Sequence, residues 1–239
     1  MIPGPGARPG GSEGSVPRPG RLVLSVLLGA FGVFGLFWGT FAVLLADLSA
    51  ALDLSPGPLG VALFVGAAAS ILAMALLGWT SDRLGRRAFV LVSGCVMGLG
   101  IAALAFVGGY WALLAALMVL YAASGLYDVG INAAAVDLER AAGRRFMAVM
   151  HAAFSTGGVA GALSAGALLS AGVDYRYVYL ALLPPLGAVV LAVAATRFFG
   201  SGQPAQNAGK TGGRGLYRSA PLLLIAVIAT LGLLSEGEM

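Results

Sequence analysis

The chain has 239 residues, of which 59% are hydrophobic and only 10% charged, against roughly 25% charged in ordinary soluble domains. So little charge cannot cover a water-facing surface, which excludes a soluble globular protein and leaves the membrane class. The formal charge of +4 raises nucleic acid as a partner until the basic residues are placed, and the single cysteine, Cys95, excludes an internal disulfide.

In chain order, residues 1–20 are rich in Gly and Pro, carry Arg8 and Arg18 and have no apolar period, which predicts a disordered cytoplasmic tail. The apolar run that follows is too long for the core of a signal peptide. A helix needs roughly 20 apolar residues to cross a ~30 Å hydrocarbon core. Runs of that length lie near 22–45, 59–79, 88–107, 110–134, 147–171 and 177–196. They predict an all-α membrane protein with a six-helix bundle over 21–197, since only helices and closed barrels satisfy the backbone in lipid. Cys95 lies inside the third run, where it reads as a small core residue.

The breaks between runs carry turn chemistry. Asp53-Leu54-Ser55-Pro56-Gly57-Pro58 predicts a turn that also starts the second span, and Gly108-Gly109 predicts a tight hairpin that makes the third and fourth spans antiparallel neighbours. Asp174-Tyr175-Arg176 predicts a short turn with interfacial aromatics. Residues 198–219 read as a flexible linker, and 220–239 as the start of a seventh span, whose apolar run begins at Ala220 and reaches Ser235, where acidic residues start. That run is short for a full span. The sequence therefore reads as the first part of a longer protein, with a natural half-length chain as the alternative.

Alternate connections hold nearly all the basic residues. Arg8, Arg18 and Arg21 fall before or at the first span, Arg83, Arg86 and Arg87 after the second, and Arg140, Arg144 and Arg145 after the fourth. Arg197, Lys210, Arg214 and Arg218 follow the sixth, and Arg176 alone is on the other side. This bias predicts a cytoplasmic N-terminus in the cell's inner (cytoplasmic) membrane. It also excludes nucleic acid as a partner, because the cations are sidedness signals at helix ends.

Between the second and third spans stands Gly78-Trp79-Thr80-Ser81-Asp82-Arg83-Leu84-Gly85-Arg86-Arg87. Gly85 suits a sharp turn, Gly78 suits close approach of a neighbouring helix, and Asp82 can accept charge-assisted hydrogen bonds from Arg83, Arg86 or a facing helix N-terminus. Arginines that only fix topology would explain the charges but not the glycine spacing. The segment resembles the signature of the major facilitator superfamily, G-x-x-x-D-R-x-G-R-R, at every fixed position and in the same topological slot. That resemblance implies a twelve-span fold of two six-helix halves, with Gly78, Asp82, Arg83, Gly85, Arg86 and Arg87 as a latch that breaks and reforms during alternating access. Gly143-Arg144-Arg145 echoes the end of this motif.

In the fourth span, Tyr121, Ser124, Asp128 and Asn132 recur at steps of three and four, which puts them on one face. Polar groups inside the bilayer are costly and mark candidate functional positions. The fifth span brings His151 and Ser155, with Gly158, Ala162 and Gly166 on the same face and Gly157 and Gly161 as a GxxxG pair beside them. Gly157, Gly158 and Gly161 predict close helix packing. If the fourth and fifth spans run side by side, Asp128, Asn132 and His151 form one polar cluster in the cytoplasmic half. Trp38 and Tyr127 are candidates for stacking on a bound solute. The plainer roles stay open: a structural hydrogen bond for Asp128 and Asn132, an interfacial group for His151, packing for the two aromatics.

The stretch from Gly125 to Asn132, with Glu139, Gly143-Arg144, Met147, His151 and Phe154-Ser155-x-Gly157-Gly158, is similar to the fucose-permease-like branch of the superfamily and its bacterial relatives. That resemblance implies a secondary transporter of a small solute, sugar-like or drug-like, with protons as the candidate coupling ion. It places the proton- and solute-handling acid of that branch on Asp128. The second acid that the branch carries on the first span has no match, Asp47 reading as an outer helix end. A truncated, non-transporting half or a scaffolding subunit is the competing reading. The sequence shows no phosphate loop, metal-ligand pair or nucleophile with its base, so no enzyme, metal or cofactor is predicted.

Overall fold

A computed structural model describes residues 21–196, and among these residues the fold is eight α-helices with no strand. The expected tail (1–20), linker (198–219) and seventh span (220–239), with Arg8, Arg18, Arg197, Lys210, Arg214 and Arg218, lie outside the described residues. The helices are α1 Arg21–Ala51, α2 Pro56–Leu77, α3 Thr80–Leu84, α4 Arg86–Phe106, α5 Tyr110–Ala142, α6 Met147–Ser170, α7 Tyr175–Ala181 and α8 Leu183–Ala195. Among the described residues six segments are long and apolar enough to cross a membrane: α1, α2, α4, α5, α6 and the α7–α8 pair. Large apolar side chains such as Phe64 and Ile71 on α2, Leu99 on α4 and Leu163 on α6 point outward. Such a surface suits hydrocarbon, where no water competes for the backbone. The chain is a multi-pass membrane protein.

Two elements differ from the sequence reading. The fourth span does not stop near residue 134 but runs on to Ala142, so Asp137, Glu139 and Arg140 are on a helix and not in a loop. Ala133 to Ala135 and Ala141 to Ala142 are strong helix formers, and the chain turns only at Gly143, which adopts the left-handed conformation at φ 62°. The sixth span is interrupted at Leu182, between α7 and α8. Pro184 and Pro185 have no N–H to give to the carbonyls one turn back, so α7 ends and α8 starts with the prolines in its first turn. Pro56 starts α2 in the same way.

The packing follows the small residues. α4 and α5 lie together as the Gly108-Gly109 hairpin predicts, and α5 also packs against α2. α4 rests on α7 and α8, which also touch α1. The most extensive contact in the bundle joins α1 and α6. The expectation that the fourth and fifth spans lie side by side is therefore corrected: α5 and α6 meet only sparsely. A glycine seam explains the choice. A Cβ on Gly35 or Gly39 would collide with the α6 backbone at Phe154 and Gly158, and a Cβ on Gly157 or Gly161 would collide with the α1 backbone at Gly32 and Leu36. The Thr40 hydroxyl donates to the Gly161 carbonyl across the seam at 3.2 Å. Close backbone approach of this kind maximises van der Waals contact where lipid offers no hydrophobic drive. Cys95 is a further correction, because it is exposed on the outside of α4 and takes no part in the core.

Candidate functional site

Two polar assemblies stand out, one at an end of the bundle and one within it. The first is built on Arg86. Its Nε donates to Asp137 Oδ2 at 3.0 Å, and its Nη1 lies 2.9 Å from Ser81 Oγ and 2.5 Å from Asp82 Oδ1. Arg140 lies 3.6 Å from the other oxygen of Asp137. One guanidinium thus ties the α2–α3–α4 turn to the far end of α5, a fork that suits Arg and not Lys. Arg87 donates to the Ala194 carbonyl near the end of α8, where a cation favours the negative end of the helix. Arg83 turns away from Asp82 and stacks on Trp79, 4.2 Å from the ring centre. Gly85, at φ 81°, makes the turn that only glycine makes cheaply. The three atoms nearest to a Cβ on Gly78 would all belong to Met74 in its own turn, whose carbonyl leaves it little room.

The same end of the bundle holds the α5–α6 turn. Glu139 Oε1 accepts from the backbone N–H groups of Phe146 at 2.5 Å and Met147 at 2.8 Å, capping α6 at its start. Arg144 lies over the Phe146 ring at 5.7 Å. The two basic turns therefore share one end, linked through Arg86 and Asp137.

The second assembly is an open cavity of about 330 Å³ lined by α1, α2, α5 and α6. Its walls are Phe31, Phe34 and Trp38 from α1, Ser70 and Met74 from α2, Ser124, Gly125 and Asp128 from α5, and His151 and Phe154 from α6. That size lies at the lower end of small-molecule sites, roughly 300–1,000 Å³. Gly125 lets α2 come close to α5 beside it, since a Cβ there would press on Ser70 and Met74. Asp128 is half-buried, and its Oδ1 accepts from Asn132 Nδ2 at 2.9 Å. Asn132 also donates to the Asp128 backbone carbonyl, so one amide fixes the carboxylate from the next turn of α5. His151 stands edge-on to Phe31, with centroids 5.7 Å apart. The Ser124 hydroxyl is satisfied by the Tyr121 carbonyl at 3.0 Å.

The sequence candidates thus divide. Asp128, His151 and Trp38 share the cavity wall, and Asn132 acts behind Asp128. Ser155 is exposed on α6 away from the wall. Tyr127 is a correction: its ring is fully buried against Phe34, 5.5 Å between centroids, and it does not line the cavity. One residue of a helix separates it from Asp128 by about 100°, which turns it from the cavity into the core. The sequence reading missed the aromatic lining from Phe31, Phe34 and Phe154, and it missed Asp137. It also missed the seam glycines Gly32, Gly35 and Gly39 of α1, although their three- and four-residue spacing could have marked them.

The match that decides the family is that the profile of the Major Facilitator Superfamily covers residues 26–236. The chain belongs to the major facilitator superfamily. Among superfamily members of known sequence, an uncharacterised MFS-type transporter of Yersinia pestis is 31% identical over 210 residues, 88% of this chain and 53% of that protein. The membrane protein MosC of Rhizobium meliloti is 28% identical over 152 residues, 63% of this chain and 37% of MosC. The chain spans about half the length of the first relative and less of the second. The glycine- and arginine-bearing turn at Gly78–Arg87 and the Asp128 cavity both fall within the matched superfamily region.

Proposed function

We propose that this chain forms the first half of a secondary active transporter that moves a small solute by alternating access. The observation that carries the proposal is the intramembrane carboxylate of Asp128, held by Asn132 on the wall of a cavity between four helices. An ionisable group kept inside the bilayer is costly, and one on a cavity wall marks a candidate solute or ion path. In this reading Asp128 and His151 handle the solute or a proton, Trp38 contacts the solute, and Asn132 sets the carboxylate. Tyr127 supports the wall from behind.

The turn containing Gly78, Asp82, Arg83, Gly85, Arg86 and Arg87 serves as the latch. Asp82 is the exposed acid of the Arg86 network, and an exposed acid is free to exchange partners as the two halves open and close. Gly157, Gly158 and Gly161 keep α6 rigid against α1, so the half moves as one body. Residues 1–20 form a cytoplasmic tail, 21–197 the first six-helix half, 198–219 a cytoplasmic linker and 220–239 the start of the second half. The protein resides in the cell (inner) membrane with its N-terminus cytoplasmic, and it is closest to the fucose-permease-like branch, with protons as coupling ion.

The test is uptake into proteoliposomes by the protein expressed with any sequence encoded beyond residue 239. Solute accumulation driven by an imposed proton gradient, reduced at least tenfold by Asp128→Asn, is the expected result. If the intact protein moves no solute from a broad panel, the scaffold reading replaces transport. If uptake proceeds equally well with Asp128→Asn, the role given to Asp128 is wrong.

A further inference from the structure

The chemistry of the cavity wall narrows the solute. Four aromatic side chains, Phe31, Phe34, Trp38 and Phe154, face it from α1 and α6, and Phe34 is in ring contact with both Trp38 (6.3 Å) and Phe154 (5.6 Å). Facing them from α5 is one carboxylate. Asn132 occupies Oδ1 of Asp128, and Oδ2 has no hydrogen-bond partner among the described residues. His151 faces the same space, yet it makes no ion pair with Asp128 among those residues. Among the described residues no Lys or Arg is on the wall.

Each solute class meets this wall differently. An anion finds a carboxylate and no fixed cation. A polyhydroxylated neutral solute needs several hydrogen-bonding partners. The wall offers it the Ser70 hydroxyl, the Asp128 oxygen and the His151 imidazole, because Ser124 already donates to Tyr121. Hydroxyl groups pressed against the rings would lose their water without replacement. An organic cation gains from both features at once: the free carboxylate oxygen takes the charge, and the electron-rich ring faces take the charge and the apolar body together.

Building on the transport reading above, we propose that this half of the cavity recognises a monovalent organic cation, an amine or quaternary ammonium carrying an apolar body. Asp128 Oδ2 receives the positive centre, and Trp38, Phe34 and Phe154 enclose the body. Asp128 then sets selectivity for charge, and the rings set selectivity for shape.

The experiment is equilibrium binding, read by intrinsic tryptophan fluorescence and by thermal stabilisation, with the full-length protein in detergent. Benzyltrimethylammonium is the probe, N,N-dimethylbenzamide its neutral counterpart of similar size, and a monosaccharide the third arm. The expected result is saturable binding of the cation, at least tenfold tighter than that of the amide, with no effect of the monosaccharide. Asp128→Asn should weaken the cation at least tenfold and leave the amide unchanged. Phe154→Leu keeps an apolar side chain and removes the ring, and should weaken the cation roughly threefold or more. Amide or monosaccharide binding as tight as the cation overturns the proposal, as does unchanged cation affinity in Asp128→Asn. Uptake of a neutral solute without cation binding would leave the transport role standing and remove this one. Cation binding without any uptake would do the reverse.

Discussion

Arg86 contacts two carboxylates in different surroundings. The side chain of Asp137 is 16% exposed, and that of Asp82 is 73% exposed. Water screens the second pair and screens the first much less. Replacing Asp137 with Ala leaves a half-buried guanidinium without its main acceptor, and is expected to lower stability by about 1–3 kcal/mol. Asp82→Ala is expected to cost less than about 1 kcal/mol, as exposed pairs do. Thermal unfolding in detergent checks both, and equal midpoints for the two variants would refute the ordering. Asp82 was legible in the sequence because its motif surrounds it. Asp137 was not, because its partner lies 51 residues away and nothing local in one sequence records a contact between distant turns. Asp128 was legible for the opposite reason: a lone acid in an apolar run needs no partner to attract notice. The free direction of its second oxygen became visible only once Asn132 was seen to hold the first.

At the scale of elements, the seam between α1 and α6 decides how the bundle closes. The GxxxG spacing of Gly157 and Gly161 announced a close contact, but the spacing alone does not say which helix is on the other side. Chain adjacency suggested α5, and the matching glycines on α1 won because backbone can meet backbone there without side chains between. Gly157→Leu is expected to force α1 and α6 apart and to lower stability by about 1–3 kcal/mol, as overpacking does. Gly166→Ala is the contrast: a Cβ there meets nothing within 4 Å, so it should be neutral or stabilise by up to about 1 kcal/mol through helix propensity. Thermal midpoints in detergent measure both, and a Gly157→Leu protein as stable as the parent would remove the seam from the account. The break at Leu182 could have been read from Pro184 and Pro185, since adjacent prolines rarely sit within an unbroken helix. Hydropathy alone passes over them because it measures transfer from water and not backbone hydrogen bonding.

For the whole molecule, the arrangement of charge ties the fold to the membrane. The Arg86–Asp137 pair and the Arg87 bond to Ala194 draw the starts and ends of α4, α5 and α8 to one end. Arg83, Arg140, Arg144 and Arg145 lie on the same end, and Arg176 at the start of α7 lies a full span away. The sequence contained this sidedness plainly, because positive charge is kept from crossing the bilayer whatever the helices do inside it. The cavity was not contained there as plainly. It lies between two closely packed helix pairs, α1 with α6 and α2 with α5, which meet each other only sparsely, and that pairing depends on contacts between residues far apart in the chain. The orientation can be tested directly. In a Cys95→Ser background, Arg83→Cys and Arg144→Cys place single thiols on the two basic turns, and Arg176→Cys places one on the opposite turn. A membrane-impermeant maleimide added to intact cells should label Arg176→Cys at once and the other two only after permeabilisation. Labelling of Arg83→Cys and Arg144→Cys from opposite sides would contradict the network that joins their turns. Labelling of both from outside would preserve the fold and invert its placement, moving Asp128 from the inner to the outer half of the bilayer.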